Sequence, residues 1–363
     1  MEVIKFRYKN IVIYEYISYT LLIFFFHWNF LILLDGYYLV GDNALVSGTS
    51  TDGILLECSV GTNQQVCNVV EKSALHHGYY VNAAYPIITD AEVKPYIICT
   101  GSSTTCKLIT TDTNCSGATA GNLCKDTNDH DIVKVLIKST DVVAGFITDP
   151  EEDDVYYIMS NADGNAFLGE GGNNIIIRAT TNAIIIHQIE DGVHAIEVDA
   201  TDNSIIEDEL GSQGTVTTEG NLHLYLCEEN VCTETYGYVV IGTNYYTVSK
   251  QLTITSASLS DLEGSCTGDG DRGKLYKASD ALLCLDHTGS KSTQKIDATG
   301  DPANYLMENV ANNVFTYKTP AVEHEFIVIM AAPNAIVYNT KITGMPFIQK
   351  KKHKVKKIYI FSN

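Results

Sequence analysis

Several things are scarce in this sequence, and each scarcity removes a class of function. There is no C-x-x-C, which excludes a thioredoxin type of redox centre. No histidine pair at H-x3-5-H spacing accompanies a close cysteine pair, so the zinc-finger pattern is missing too. No G-x-S-x-G, H-E-x-x-H or phosphate-cradling glycine loop occurs. Helical periodicity is nearly absent outside the N-terminal segment and the short stretch SASLSDLEG. Positive charge is also scarce, with 24 Lys and Arg against 44 Asp and Glu. Three of the basic residues (Lys5, Arg7, Lys9) precede residue 35, and seven lysines lie in 341–363. Residues 35–340 therefore carry 14 basic and 42 acidic side chains, and 14 − 42 gives −28. Such a surface repels nucleic acid and anionic membranes, and suits a cationic partner or a solvated exterior.

What is present begins with cysteine. The ten cysteines fall into five sequential pairs: Cys58 with Cys67, Cys99 with Cys106, Cys115 with Cys124, Cys227 with Cys232, and Cys266 with Cys284. Apolar, strand-like runs flank most of them and polar residues lie between, as in YIICTGSSTTCKLIT. Only the Cys227–Cys232 gap fits metal-ligand spacing. Facing residues of an antiparallel pair approach closely enough for a disulfide, so stapled hairpins are expected, with sequential neighbours bonded. The even cysteine count points to an oxidising compartment. The N-terminus agrees: a basic start leads into an apolar run densest over Leu21–Leu34, the layout of a signal peptide or signal anchor over 1–34 and an expected apolar helix. No function is assigned to the basic tail, 341–363.

Aligning on the staples exposes repeats. Gly-Tyr-Tyr occurs at Gly36 and Gly78, and Gly237 opens GYVVIGTNYY five residues after Cys232. Ile175–Ala200 resembles the same unit with its cysteines gone and with Gly192 in place of the Gly-Tyr-Tyr glycine. Unit starts fall near 36, 78, 155, 192 and 237. CSGATAGNLCKD (115–126) resembles a compressed CTGDGDRGKLYKASDALLCLD (266–286). The expected fold is all-β, small disulfide-stapled hairpins stacked in tandem. Its expected division is disulfide-rich repeats over 35–148, an acidic linker over 149–154, and repeats with fewer cysteines over 155–340.

Candidate chemistry is thin, and neither a metal nor a cofactor is expected. Glu151, Glu152, Asp153 and Asp154 read as a solvated linker. Asp269 and Asp271 lack the distal glutamate of a calcium loop and read as a turn. GEGGNN (169–174) reads as a turn, and His76–His77 as exposed. The tyrosines say more. Tyr37–Tyr38, Tyr79–Tyr80 and Tyr245–Tyr246 recur at related places. Strand neighbours face opposite ways, so each pair offers one tyrosine to the core and one to a protein or sugar partner. The other reading is that both pack between units.

These motifs together resemble the repeat units of scaffoldins from anaerobic gut fungi. The resemblance rests on the Gly-Tyr-Tyr starts, the L-x-C…C hairpins, and the C-x-G…G-K-L…LCLD element. It spans about residues 36–290 and is clearest at 36–126 and 227–286. The chain is short for that family, and its middle unit lacks the cysteines. The resemblance implies a non-catalytic, secreted or surface-held protein that binds dockerin domains of plant-cell-wall hydrolases. A carbohydrate-binding adhesin, whose outward tyrosines meet cell-wall polysaccharide, is the alternative.

Overall fold

Short runs of Ile, Val, Tyr and Thr between turn residues fold as strands throughout, because β-branched and aromatic side chains suit a pleated surface. The computed structural model describes the backbone of 2–8 and 11–17, and residues 34–342 except 42–43, 47–51, 62–64, 86–93, 101–105, 162–165, 169–172, 209–215, 217–220, 252–253, 263–264, 278–279, 287–292, 297–299, 309–312 and 316–325. Among the described residues there is no helix of seven residues or more, and none long and apolar enough to cross a membrane.

The expected N-terminal apolar helix is not supported. β1 (Glu2–Tyr8) and β2 (Ile11–Ile17) pair as an antiparallel hairpin, with Glu2 opposite Ile17 and Tyr8 opposite Ile11. The two strands hold ten β-branched or aromatic residues, which favour extended chain over helix. The densest part of the apolar run, up to residue 33, and the tail from 343 lie outside the described residues.

Among the described residues two sets of thirteen strands follow. The first set is β3 (Gly36–Gly41), β4 (Ala44–Leu45), β5 (Ile54–Val60), β6 (Gln65–Val69), β7 (Gly78–Val81), β8 (Tyr96–Cys99), β9 (Cys106–Ile109), β10 (Leu123–Lys125), β11 (Val133–Lys138), β12 (Val142–Gly145), β13 (Val155–Asn161), β14 (Asn173–Ala179) and β15 (Ala183–Ile186). The second is β16 (Gly192–Val198), β17 (Ile205–Asp208), β18 (Leu222–Glu228), β19 (Val231–Thr235), β20 (Gly237–Ile241), β21 (Asn244–Val248), β22 (Ile254–Ser258), β23 (Leu275–Lys277), β24 (Ala281–Cys284), β25 (Thr293–Lys295), β26 (Ala303–Glu308), β27 (Phe326–Ala332) and β28 (Ala335–Tyr338).

The pairing order is the same in both. Four strands run β4-β3-β5-β6 in the first set, as a separate sheet, and β17-β16-β18-β19 in the second, where the β19–β14 bridge joins them to six strands of the first set in one ten-stranded sheet. Six strands run β9-β8-β7-β15-β14-β13 and β22-β21-β20-β28-β27-β26, and three run β10-β11-β12 and β23-β24-β25. The molecule is one module built twice.

Register bears this out residue by residue. Gly36, Cys58 and Cys67 form one row across the first four-stranded sheet, and Gly192, Cys227 and Cys232 form it in the second. Gly78, Tyr79 and Tyr80 face Ile185, Ile184 and Ala183, while Gly237, Tyr238 and Val239 face Val337, Ile336 and Ala335. At Gly78 and Gly237, φ is +145° and +155°. A Cβ there would lie 2.1 Å from the Ile184 oxygen or 2.2 Å from the Ile336 oxygen, so only glycine fits.

Each module has two matching cores. Tyr79, Tyr157, Met159, Phe167 and Ile177 pack together in the first, as Tyr238, Tyr305, Met307, Phe315 and Ile329 do in the second. On the other face of the six-stranded sheet, Leu39, Leu55, Tyr80 and Ile185 correspond to Ala195, Leu224, Val239 and Val337. These cores correct the expected division of the chain. Tyr157, Phe167 and Ile186 share one core with Tyr79, Leu123 and Val135, so the acidic stretch 149–154 is a connection within the first module. The modules adjoin at 187–191, where Asn174 of β14 bridges to Cys232 of β19.

Candidate binding surface

All five disulfides join sequential neighbours: Cys58–Cys67, Cys99–Cys106, Cys115–Cys124, Cys227–Cys232 and Cys266–Cys284. Three link residues directly opposite across a hairpin, with Cα atoms 4.0, 4.3 and 4.0 Å apart, near the spacing of a non-hydrogen-bonded antiparallel pair. In the shortest of these hairpins, Glu229 and Asn230 both adopt positive φ, the two-residue turn that matches strand twist.

The other two staples differ from the sequence alignment. Gly121 and Leu123 correspond to Gly273 and Leu275, because Tyr79 Oη donates to Gly121 O at 3.0 Å and Tyr238 Oη to Gly273 O at 2.8 Å. Cys124 therefore corresponds to Tyr276 on the first strand of the small sheet. Cys284 lies on the second, where Leu136 stands in the first module: Gly121 N donates to Leu136 O and Gly273 N to Cys284 O. The two Leu-Cys-x-Asp strings are not equivalent.

The paired tyrosines do not form an outward ladder. Tyr38, Tyr79, Tyr80 and Tyr246 are 0–2% exposed, while Tyr37 and Tyr245 are half-buried. Alternation does separate Tyr79 from Tyr80, but both faces of β7 are covered: Tyr79 enters one core and Tyr80 the other. Tyr245–Tyr246 lies on β21, one strand beyond the glycine strand, so its counterpart there is Tyr238 rather than either of them.

The hydroxyls of Tyr38, Tyr79 and Tyr80 each reach a backbone group, as a buried polar atom requires. Tyr38 Oη donates to Leu34 O at 3.0 Å and Tyr80 Oη to His76 O at 2.7 Å. Tyr79 Oη also accepts from Leu123 N at 3.1 Å. Burial raises all three phenols above their ordinary range. Tyr37 keeps its hydroxyl near solvent, donating to Glu57 Oε1 at 3.2 Å, with its ring edge-on to Tyr80 at 4.6 Å between centroids. Burial, then the Glu57 carboxylate, pushes it up to about 12.

The remaining candidates serve the chain itself. Asp271 Oδ2 accepts from Gly268 N at 2.9 Å and from Thr267 N at 3.2 Å, and Asp269 pairs with Arg272. Glu151, Glu152 and Asp153 are exposed. GEGGNN lies mostly outside the described residues. Among the described residues no three His, Cys, Asp or Glu side chains gather as metal ligands. His76, with Ser73 Oγ 2.9 Å from its Nδ1, and His77 line a shallow cleft with Glu71 and Lys72. Its space is about 20 Å³, room for one water rather than a substrate.

Among the described loop residues, acids such as Asp129, Asp131, Asp149, Glu151, Glu229 and Asp301 stand exposed. Compared with protein-family models, curated proteins and solved structures, the chain matches none.

Proposed function

We propose that the chain is a non-catalytic scaffold acting outside the cell, which holds small cysteine-rich domains such as the dockerins of plant-cell-wall hydrolases. The observation that carries this reading is the duplication: one strand order built twice gives the chain two related modules, each with room for a ligand. Five disulfides are compatible with an extracellular location. The net −28 of residues 35–340 favours ligands with a basic face.

With four paired tyrosines buried, Tyr37 is the one Gly-Tyr-Tyr residue whose hydroxyl stands near solvent, so contact belongs mainly to the loops. The test is affinity capture from a gut-fungal secretome on the immobilised chain, followed by native mass spectrometry of the eluted complex. Dockerin-bearing hydrolases at two per chain support the reading. Retention on insoluble cellulose or xylan without protein capture sinks it in favour of an adhesin.

A further inference from the structure

We propose that the second module docks the N-terminal four-stranded sheet of another copy of this chain, as the first module docks the second. The template lies inside the molecule. Ile158 of β13 and Ile176 of β14 are each 4% exposed, packed against Ile196, Tyr225, Cys227 and Cys232 of the stapled sheet. Asn203 Nδ2 donates to Ile158 O at 2.9 Å across the same contact, and β19 bridges to β14 at Asn174.

Register fixes the counterparts in the second module. Ile177 faces Ile186 as Ile329 faces Tyr338, so Ile158 and Ile176 correspond to Leu306 and Val328. Leu306 is 56% exposed, against 4% for Ile158. Among the described residues no strand lies on β27 where β19 lies on β14. An apolar position buried in the first module stands in solvent in the second.

The complementary half is at the opposite end. Leu56, Cys58 and Cys67 hold the places of Tyr225, Cys227 and Cys232, and on the same face Val69 is 42% and Val60 51% exposed. Cys58 already packs with Tyr38 and Ala84, so the open part of this half is its edge, around Val60 and Val69. Counterparts of both sides of the existing interface thus recur on this chain, one at each end, which makes a second copy the fitting occupant. The two surfaces differ, so the contact is heterologous and repeats head to tail, as a closed ring or an open series according to its rotation. Strand β1 runs beside β6, at the edge a second copy must reach.

Sedimentation velocity up to about 100 μM tests this, a range that populates even a ~10 μM contact. It is run on the full chain and on a chain beginning at Leu34. The sedimentation coefficient of at least one should climb with concentration; a climb seen only in the shorter chain supports the proposal and makes the N-terminal hairpin its cap. Leu306→Asp and Val69→Asp, both at exposed positions, should each remain single with unchanged melting. Mixed in equal amounts they should form a pair, one of each, and nothing larger. Single species throughout in both chains, or variants that associate like the parent, would overturn the proposal.

Discussion

The first and second modules share thirteen strands in the same order, yet differ in almost everything that sequence comparison notices first. One staple, Cys58–Cys67, recurs as Cys227–Cys232, but the others do not. Cys99 and Cys106, bonded in the first module, are replaced by Val248 and Ile254 at the same facing positions in the second. The loop cysteine of each small sheet reaches a different strand. What stays constant is a glycine that lets another strand approach, a tyrosine hydrogen-bonded to a loop carbonyl, and a phenylalanine under its ring. Tyr79 meets Phe167 at 6.1 Å and 74°, and Tyr238 meets Phe315 at 5.6 Å and 73°. Disulfides therefore reinforce a framework that packing already specifies.

The comparison breaks most visibly at that aromatic pair. Phe167 and Phe315 are both 0% exposed, and Phe→Ala at either should cost about 3–5 kcal/mol in urea unfolding. A large loss at one and a small loss at the other would show that the two cores are not equivalent. Gly78→Ala and Gly237→Ala come next, at roughly 3 kcal/mol or more, since each combines a strained φ with a backbone clash. Gly192→Ala, with nothing within 4 Å of the added Cβ, should cost less than either.

A smaller effect sharpens the point about cysteine. Changing both Val248 and Ile254 to Cys should create a disulfide, visible as a mass shift on reduction. It should add at most about 2 kcal/mol by loop closure, offset by lost apolar packing. Failure of the bond to form would mean that β21–β22 is not the counterpart of β8–β9.

Much of the fold was legible in the sequence, for physical reasons. Strand-like runs flanking cysteines at short spacing marked the hairpins, and the recurring glycines marked strand starts at Gly36, Gly78, Gly192 and Gly237. The larger duplication is hidden from an alignment on cysteines, because only Cys58–Cys67 recurs at its place, as Cys227–Cys232. Its signal was nevertheless there: YYIMSNADGNAF against NYLMENVANNVF, and ATTNAIII against AAPNAIVY. The acidic run at 149–154 looked like a linker because composition does not reveal which core the next strand joins. For the paired tyrosines the sequence leaves both readings open, for a related reason. Period-two alternation assigns faces, but not whether each face meets water, and β7 is covered on both.

The smallest predicted difference is in acid. Burial lowers the affinity of His77 and His187 for a proton, with His76 and Arg178 respectively acting in the same direction. Both imidazoles are therefore held neutral in the folded first module and take up protons more readily when it unfolds. Their contribution is complete above about pH 6.5 and declines as pH falls below it towards the lowered folded values. The second module has Tyr236 and Asn339 at these places, which do not titrate there. His187→Asn should flatten the loss of urea stability between pH 7 and pH 5. An unchanged slope would remove His187 from the account.

The central claim is that two like modules meet at 187–191, and it is tested most directly by dividing the chain. Two divisions are compared by circular dichroism and thermal melting of the oxidised halves: one after Glu190, the other after Glu152. The matching cores lie wholly within 34–186 or 192–342, so the halves made at 190 should each melt cooperatively. A cut at 152 separates Tyr157, Phe167 and Ile186 from Tyr79 and Val135, so its first half should show no cooperative transition. Cooperative halves from the cut at 152 and unfolded ones from the cut at 190 would contradict the account.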